Sequence, residues 1–196
     1  MKSKNKGKIK KYLKTLWWFI WEDDSFASWI VNIVIAFILV KFLIYPALGF
    51  MLGTSLPVVA VVSGSMEHNG LGFDDWWIEN GEWYLQKNID KEEMKSFAMH
   101  NGFNKGDIIV LVGEEPENIE IGDIIVYSTE RYKYPIIHRV VKSWTENDNK
   151  YLTTKGDNNY NSDPLNINQN QVVGKTLFKI PWLGWIKLLF TKMIGG

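Results

Sequence analysis

Ile121-Gly-Asp-Ile-Ile-Val-Tyr127 and, shortly after it, Pro135-Ile-Ile-His-Arg-Val-Val-Lys142 decide the fold. Each is a short run of β-branched and apolar residues entered through a turn former, which reads as a buried strand. The same pattern extends outward. Asp107-Ile-Ile-Val-Leu-Val112, Tyr151-Leu-Thr-Thr154 and Val172-Val-Gly-Lys-Thr-Leu-Phe178 are further strands. Gly-Asp pairs at 106–107, 122–123 and 156–157 and Asn-Asp at 147–148 punctuate them as turns. Regularly spaced short strands predict a mainly β domain, a small coiled sheet or barrel. Upstream, Leu56-Pro-Val-Val-Ala-Val-Val62 is one more buried strand, and it delivers the turn Ser63-Gly-Ser65.

Ahead of the strands the chain changes character. Phe26 to about Gly53 is nearly all apolar, and a membrane crossing needs roughly 20 apolar residues. Glu22, Asp23, Asp24 and Ser25 precede it as capping groups, Lys41 interrupts it, and Pro46 is expected to kink or end the helix. The run is too long for the apolar core of a cleaved signal peptide, so it reads as an uncleaved anchor. Residues 1–14 carry seven lysines and no acid, against an acidic remainder that brings the net charge to zero. A basic tail beside a span is expected to stay cytoplasmic while the acidic body crosses, and nucleic-acid binding is not expected. Trp17, Trp18, Trp21 and Trp29 at the front, and Trp182 and Trp185 at the back, suit the membrane–water interface. For Trp76, Trp77 and Trp83 an ordinary core position is an equal reading. The expected division is 1–25 as basic tail and interfacial lead-in and 26–53 as transmembrane anchor. Residues 54–180 form the extracytoplasmic β domain with an irregular insertion at 67–104, which holds a helix from about Lys91 to Met99. Residues 181–196 are an apolar interfacial segment with Lys187 and Lys192.

Absence of cysteine excludes disulfides, thiol catalysis and thiolate metal sites. The remaining chemistry is hydroxyl and imidazole. A serine needs a base to take its proton, and the base needs a partner on its other nitrogen. Ser65 sits on the turn, His138 sits in an apolar strand on the face of Ile136 and Val140, and Asp157 and Asp163 follow in one loop. Oxyanion donors would be the Ser65 backbone N–H and the Ser63 hydroxyl. Other arrangements stay open at this point. His68 or His100 could serve as base; Lys133, Lys142 or Lys155 could form a serine–lysine dyad if desolvated; three histidines could hold zinc, although no spacing resembles a zinc motif.

Taken together, Ser63-Gly-Ser-Met-Glu67, Lys105-Gly-Asp-Ile-Ile-Val110, Ile121-Gly-Asp-Ile-Ile-Val-Tyr127, Pro135-Ile-Ile-His-Arg-Val-Val141, Thr154-Lys-Gly-Asp-Asn-Asn159 and Val173-Gly-Lys175 with Pro181-Trp-Leu-Gly184 resemble the type I signal peptidases. The likeness is to the archaeal and endoplasmic-reticulum branch and covers about residues 26–66 and 105–190. It implies a largely β catalytic domain resting on the membrane, Ser65 as nucleophile and His138 as base where the bacterial branch has lysine. It maps the acid to Asp163 and implies that Asp157 is important too. Two departures stand out: His68 occupies a place where the family often has proline, and nearly forty residues are inserted where the family passes quickly to the Gly-Asp strand.

The resemblance implies a membrane-anchored serine endopeptidase that removes signal peptides from exported preproteins after small residues, with no metal or cofactor. Its expected partners are signal-peptide-bearing preproteins and membrane lipid, with translocation machinery or accessory membrane subunits beside them. Its expected home is the cell membrane or the endoplasmic-reticulum membrane, single-pass, with the N-terminus cytoplasmic. The contrasting reading is a non-catalytic, membrane-tethered β module that binds exported proteins or the translocation machinery.

Overall fold

The structure, a computed structural model, describes residues 2–194. Met1, Gly195 and Gly196 lie outside the described residues, as do the side chains of residues 2–6, Phe190, Thr191 and Ile194. The ends of the predicted basic tail and of the 181–196 segment therefore fall outside it. The chain divides into two compact units, residues 1–48 and 49–196.

In the first unit, α1 spans Lys2–Trp21 and α2 spans Phe26–Leu39. Of the residues predicted as a tail and lead-in, Lys2–Trp21 are thus helical. Ser25 caps α2 by accepting the Ser28 N–H, and its own N–H and hydroxyl bind the Asp23 carboxylate. The Asn32 amide donates to the Ile20 carbonyl, which fastens the two helices to each other. Beyond α2 the helix passes through a π segment, Val40–Ile44, into α3, Tyr45–Leu52. Pro46 has no N–H to give and crowds the preceding turn. The backbone answers by widening: the Tyr45 N–H reaches the Val40 carbonyl, five residues back. Pro46 therefore does not end the helix. Among the described residues Phe26–Leu52 is the one helix long and apolar enough to cross a membrane.

The second unit is a curled, seven-stranded antiparallel sheet. Its strands are β1 (Val58–Ala60), β2 (Ile108–Val112), β3 (Ile124–Tyr127), β4 (Ile136–Glu146), β5 (Asn149–Lys155), β6 (Ile167–Asn168) and β7 (Val172–Ile180), in the order β1-β2-β7-β3-β4-β5-β6. The mainly β fold read from the sequence is borne out; the two-residue β6 is an addition to it. Register shifts in β2–β7, β3–β7 and β4–β5 mark bulges, which coil a sheet more strongly than regular pairing does. Alternation along β3 sends Ile124 and Val126 into one core with Val61, Met66 and Leu111, and Ile125 and Tyr127 into another with Val140 and Leu152.

Two of the Gly-Asp turns are built alike. Gly106 and Gly122 take φ of 92° and 95°, a region that glycine enters without strain, and Asp107 and Asp123 each accept a backbone N–H three residues back. The third pair, Gly156-Asp157, differs: Gly156 has no positive φ, and Asp157 is drawn into an ion pair described below.

The 67–104 insertion is not irregular. It forms α4 (Phe73–Leu85) and α5 (Lys91–Ser96), with Asp90 capping α5. Phe73, Trp76, Tyr84, Ile89 and Met94 make a core of their own that closes on Val141 of β4. Trp76 is a core residue, with Trp77 and Trp83 packed against that core. The chain ends in α6, Trp185–Ile194.

Candidate active site

β4 and β5 set the site through register. Along β4, neighbouring side chains point to opposite faces. His138 and Val140 share a face with Thr154, the cross-strand partner of Val140. Arg139 shares the other face with its partner Lys155. Each face recruits one of the two acids.

His138 takes Asp163. Its Nδ1 lies 2.6 Å from Asp163 Oδ2, with the imidazole almost wholly buried. The Tyr127 hydroxyl donates to the same oxygen at 2.9 Å, and the Thr154 hydroxyl at 2.6 Å. The Asp163 N–H donates to the Thr154 carbonyl, which holds the carboxylate beneath the ring. Burial pushes the Asp163 pKa up. The hydrogen bond and charge of His138, with the two hydroxyls, outweigh it, so the carboxyl lies below its ordinary value. Burial pushes the Tyr127 hydroxyl well above its usual range, so it remains a donor.

Arg139 takes Asp157. The guanidinium grips the carboxylate at both oxygens, Nε to Oδ1 at 2.9 Å and Nη2 to Oδ2 at 2.7 Å, and both side chains are fully buried. Its remaining donors go to the carbonyls of Ala98, Met99 and Gly122. Asp157 also receives the Tyr84 hydroxyl at 3.2 Å and meets His68 Nε2 at 3.4 Å. Burial opposes its ionisation; the Arg139 charge and the His68 bond overcome that and hold its pKa well below the carboxylate range. Asp157 is therefore bonded to Arg139 and not to His138.

The serine turn is clamped onto the loop after β5. Asn158 N–H donates to the Ser65 carbonyl at 2.8 Å, and its side-chain amide to the Gly64 carbonyl at 3.0 Å. The Asp157 N–H meets Met66 Sδ at 3.4 Å. Gly156 lies in the narrowest place. A Cβ there would stand 2.6 Å from the Ser65 carbonyl oxygen and 2.9 Å from His138 Nε2. Only a glycine fits between the Ser65 backbone and the His138 ring at this point. Ser65 Oγ bonds Ser63 Oγ at 3.2 Å and makes no hydrogen bond to His138 among the described residues. Such bonds are often long before substrate arrives and tighten with it.

The other candidates lie elsewhere. His68 is buried, stacked on Trp76 at 4.0 Å with the planes 4° apart, and faces Asp157. His100 packs edge-on against Phe73. Lys155 is buried, with its ammonium over the rings of Trp83 and Tyr84 at 5.1 and 4.8 Å. Burial lowers its pKa to about 8, against the pull of Asp157 and with the push of Arg139. Lys133 and Lys142 are exposed beside Tyr134 and Trp144.

Sequence reading did not anticipate Arg139, Tyr127, Thr154 or Tyr84 as site-building residues. A signal existed for Arg139: a charge inside an apolar strand needs a buried acid, and with His138 on one face Arg139 must seek its acid on the other. No such signal marks Tyr84, whose role depends on how the insertion packs.

No family model matches this chain. It is 32% identical over 167 residues to the signal peptidase complex catalytic subunit sec11 of Schizosaccharomyces pombe, covering 78% of this chain and 80% of that one. It is 29% identical over 161 residues to the SEC11 subunit of Scheffersomyces stipitis, covering 78% and 76% respectively. The SEC11 subunit of Candida tropicalis matches at 32% over 107 residues, half of this chain and 64% of that one. The relatives define the class, a protease among the hydrolases. The chain belongs to the type I signal peptidase family, and its SEC11 relatives agree with the archaeal and endoplasmic-reticulum branch that the motifs indicated.

Proposed function

We propose that this chain is a membrane-anchored serine endopeptidase that removes N-terminal signal peptides from exported preproteins. Ser65 is the nucleophile, His138 the general base and Asp163 the carboxylate that orients His138. The observation that carries this reading is the His138 Nδ1–Asp163 Oδ2 bond of 2.6 Å, with His138 Nε2 turned toward the Ser65 turn across Gly156. Binding Asp163 through Nδ1 leaves Nε2 as the proton acceptor.

In the reaction, Ser65 Oγ attacks the carbonyl carbon after a small residue while its proton passes to His138 Nε2. The tetrahedral oxyanion is met by the Ser65 N–H and the Ser63 hydroxyl, two of the donors near the turn. The imidazolium then protonates the leaving amine, and a water activated by the same nitrogen releases the signal peptide from Ser65. Asp157 serves differently: paired with Arg139, it holds the loop that clamps the serine turn.

The chemistry calls for no metal. Substrates with small side chains at the first and third positions before the cut are those the family implies. We further propose that Phe26–Leu52 anchors the chain with the lysine-rich segment cytoplasmic and that the β unit is extracytoplasmic. The apolar segment from Pro181 onward, with Trp182, Leu183, Trp185 and Ile186 exposed, then lies in the membrane surface. The relatives are named as subunits of a complex, which supports accessory membrane subunits as partners.

The test is cleavage of a model preprotein by the full chain in liposomes, comparing wild type with Ser65→Ala, His138→Ala and Asp163→Asn. The two alanine variants are expected to lose about 10³-fold or more in kcat, and Asp163→Asn about 10²- to 10⁴-fold, with melting temperatures preserved. Undiminished cleavage by Ser65→Ala would sink the serine mechanism; undiminished cleavage by His138→Ala alone would move the base to a lysine.

A further inference from the structure

Lys155 is almost completely buried, yet the serine–histidine mechanism gives it nothing to do. Its ammonium donates to the Gly156 carbonyl at 3.1 Å, the Asp157 carbonyl at 3.4 Å and the Tyr84 hydroxyl at 3.4 Å. The two carbonyls are informative because a peptide unit is a rigid plane. The plane that carries the Asp157 carbonyl also carries the Asn158 N–H, which donates to the Ser65 carbonyl. The plane that carries the Gly156 carbonyl also carries the Asp157 N–H, which meets Met66 Sδ. One ammonium thus grips the oxygen edge of two planes whose N–H edges hold the nucleophile turn. Turning either plane would release Ser65 or Met66.

The ammonium is itself seated by the insertion. Tyr84 and Trp83 of α4 present their ring faces to it, and the Tyr84 hydroxyl also donates to Asp157 Oδ1. A buried tyrosine hydroxyl needs one partner for satisfaction. Tyr84 instead joins the two groups that fix the loop from behind, and it comes from the segment this chain adds between the serine motif and the Gly-Asp strand.

We propose that Tyr84 and Lys155 are positioning residues for the cleavage reaction: α4 seats the Lys155 ammonium, and the ammonium fixes the two peptide planes that hold the Ser65 turn against His138. This inference rests on the serine–histidine reading above. The insertion then helps to position the catalytic residues.

The position predicts a pH signature. Lys155 is held with a pKa of about 8, chiefly by burial, with the charges of Asp157 and Asp163 opposing that and the charge of Arg139 reinforcing it. Tyr84 is the one titratable side chain that α4 turns onto the ammonium. As pH rises through this range the ammonium loses its charge and its hold on the loop carbonyls weakens, so kcat falls on an alkaline limb. Tyr84→Phe keeps the ring and removes an acceptor for the ammonium, so the limb moves to lower pH. Lys155→Met removes the limb.

The experiment measures kcat and KM on a model preprotein from pH 6 to 10 for the full chain, Tyr84→Phe, Lys155→Met and Ser65→Ala. Each is assayed at a temperature where its melting curve shows it fully folded. Expected are a fall in kcat of about tenfold to a hundredfold for Lys155→Met with KM within about twofold, and the downward limb shift for Tyr84→Phe. A purely structural role would move the melting temperature and leave the limb where it was. Equal kcat and an unmoved limb in Tyr84→Phe would overturn the inference even if Lys155→Met failed to fold. The same null result with Ser65→Ala inactive defeats this inference alone, whereas an active Ser65→Ala defeats the serine reading beneath it.

Discussion

At the scale of single residues, the site turns on two neighbours, His138 and Arg139, that a strand sends to opposite faces. The histidine and the two acids were legible in the sequence; spacing alone left the pairing open, because Asp157 and Asp163 follow in the same loop, and only the family resemblance pointed to Asp163. Register decides it, placing Thr154 with the Asp163 face and Lys155 with the Asp157 face. The Arg139–Asp157 pair makes a prediction with a sign. Asp157 and Asp163 both have folded pKa values below the ordinary 3.8. The unfolded chain therefore binds protons first, so these carboxylates contribute stability that is complete above about pH 4 and lost as pH falls below it. For Asp157 the largest single influence is burial, which acts the other way and is overcome by Arg139. Removing the guanidinium should reverse the sign. Arg139→Met is expected to cost roughly 3–5 kcal/mol at pH 7 by leaving a buried carboxylate unpaired. It should recover stability as pH falls toward 4, where wild type is flat. Urea unfolding from pH 3 to 7 decides this; a variant whose stability falls with acid as wild type does would refute the pairing's dominance.

At the scale of elements, strands were easier to read than helices. Short, continuously apolar β-branched runs between Gly-Asp turns, such as Ile108–Val112 and Ile124–Tyr127, need little tertiary help to be recognised as buried strands. The insertion, read as irregular, holds α4 although Asn80-Gly81, a common turn pair, lies in the middle of that helix. Packing overrides that signal: the Trp77 ring lies over Gly81, where a Cβ would come within 2.5 Å of it, and Asn80 donates its amide back to the Trp76 carbonyl. The glycine that suggests a break is the space that lets an aromatic fold onto its own helix. The β4–β5 hairpin shows the opposite case, a turn signal that is right but imperfect. Asn147 and Asp148 both sit at positive φ, 49° and 60°, as a two-residue primed turn requires. Asparagine tolerates this region and aspartate less so than glycine. Asp148→Gly is expected to stabilise the domain by about 0.5–1 kcal/mol, with wild-type cleavage retained. Chemical denaturation measures it, and a loss of stability would mean that the gain in unfolded-chain entropy outweighs the relieved strain.

At the scale of the whole molecule, the charge distribution is the feature to explain. The net charge is zero, yet residues 1–14 hold seven lysines and no acid. That segment and the acidic β unit lie on either side of Phe26–Leu52 in the chain. Positive charge beside a span is retained on the cytoplasmic side, while acidic charge weighs little in orientation. The catalytic unit would then meet its substrates where signal peptides emerge, and Lys41, whose ammonium lies against the rings of Phe37 and Phe42, would be carried within the span by snorkelling or by a partner helix. This orientation is testable without reference to activity. In sealed vesicles carrying the inserted chain, protease added to the cytoplasmic side should trim the lysine-rich segment and leave residues 49–196 intact until detergent is added. Replacing the seven lysines by glutamine should populate the inverted form, because the hydrophobic span remains while its orienting charge is gone. Protection of the lysine segment together with digestion of the β unit would reverse the assignment. It would also separate the active site from the side on which the proposed substrates appear, a conflict that only a different substrate class could resolve.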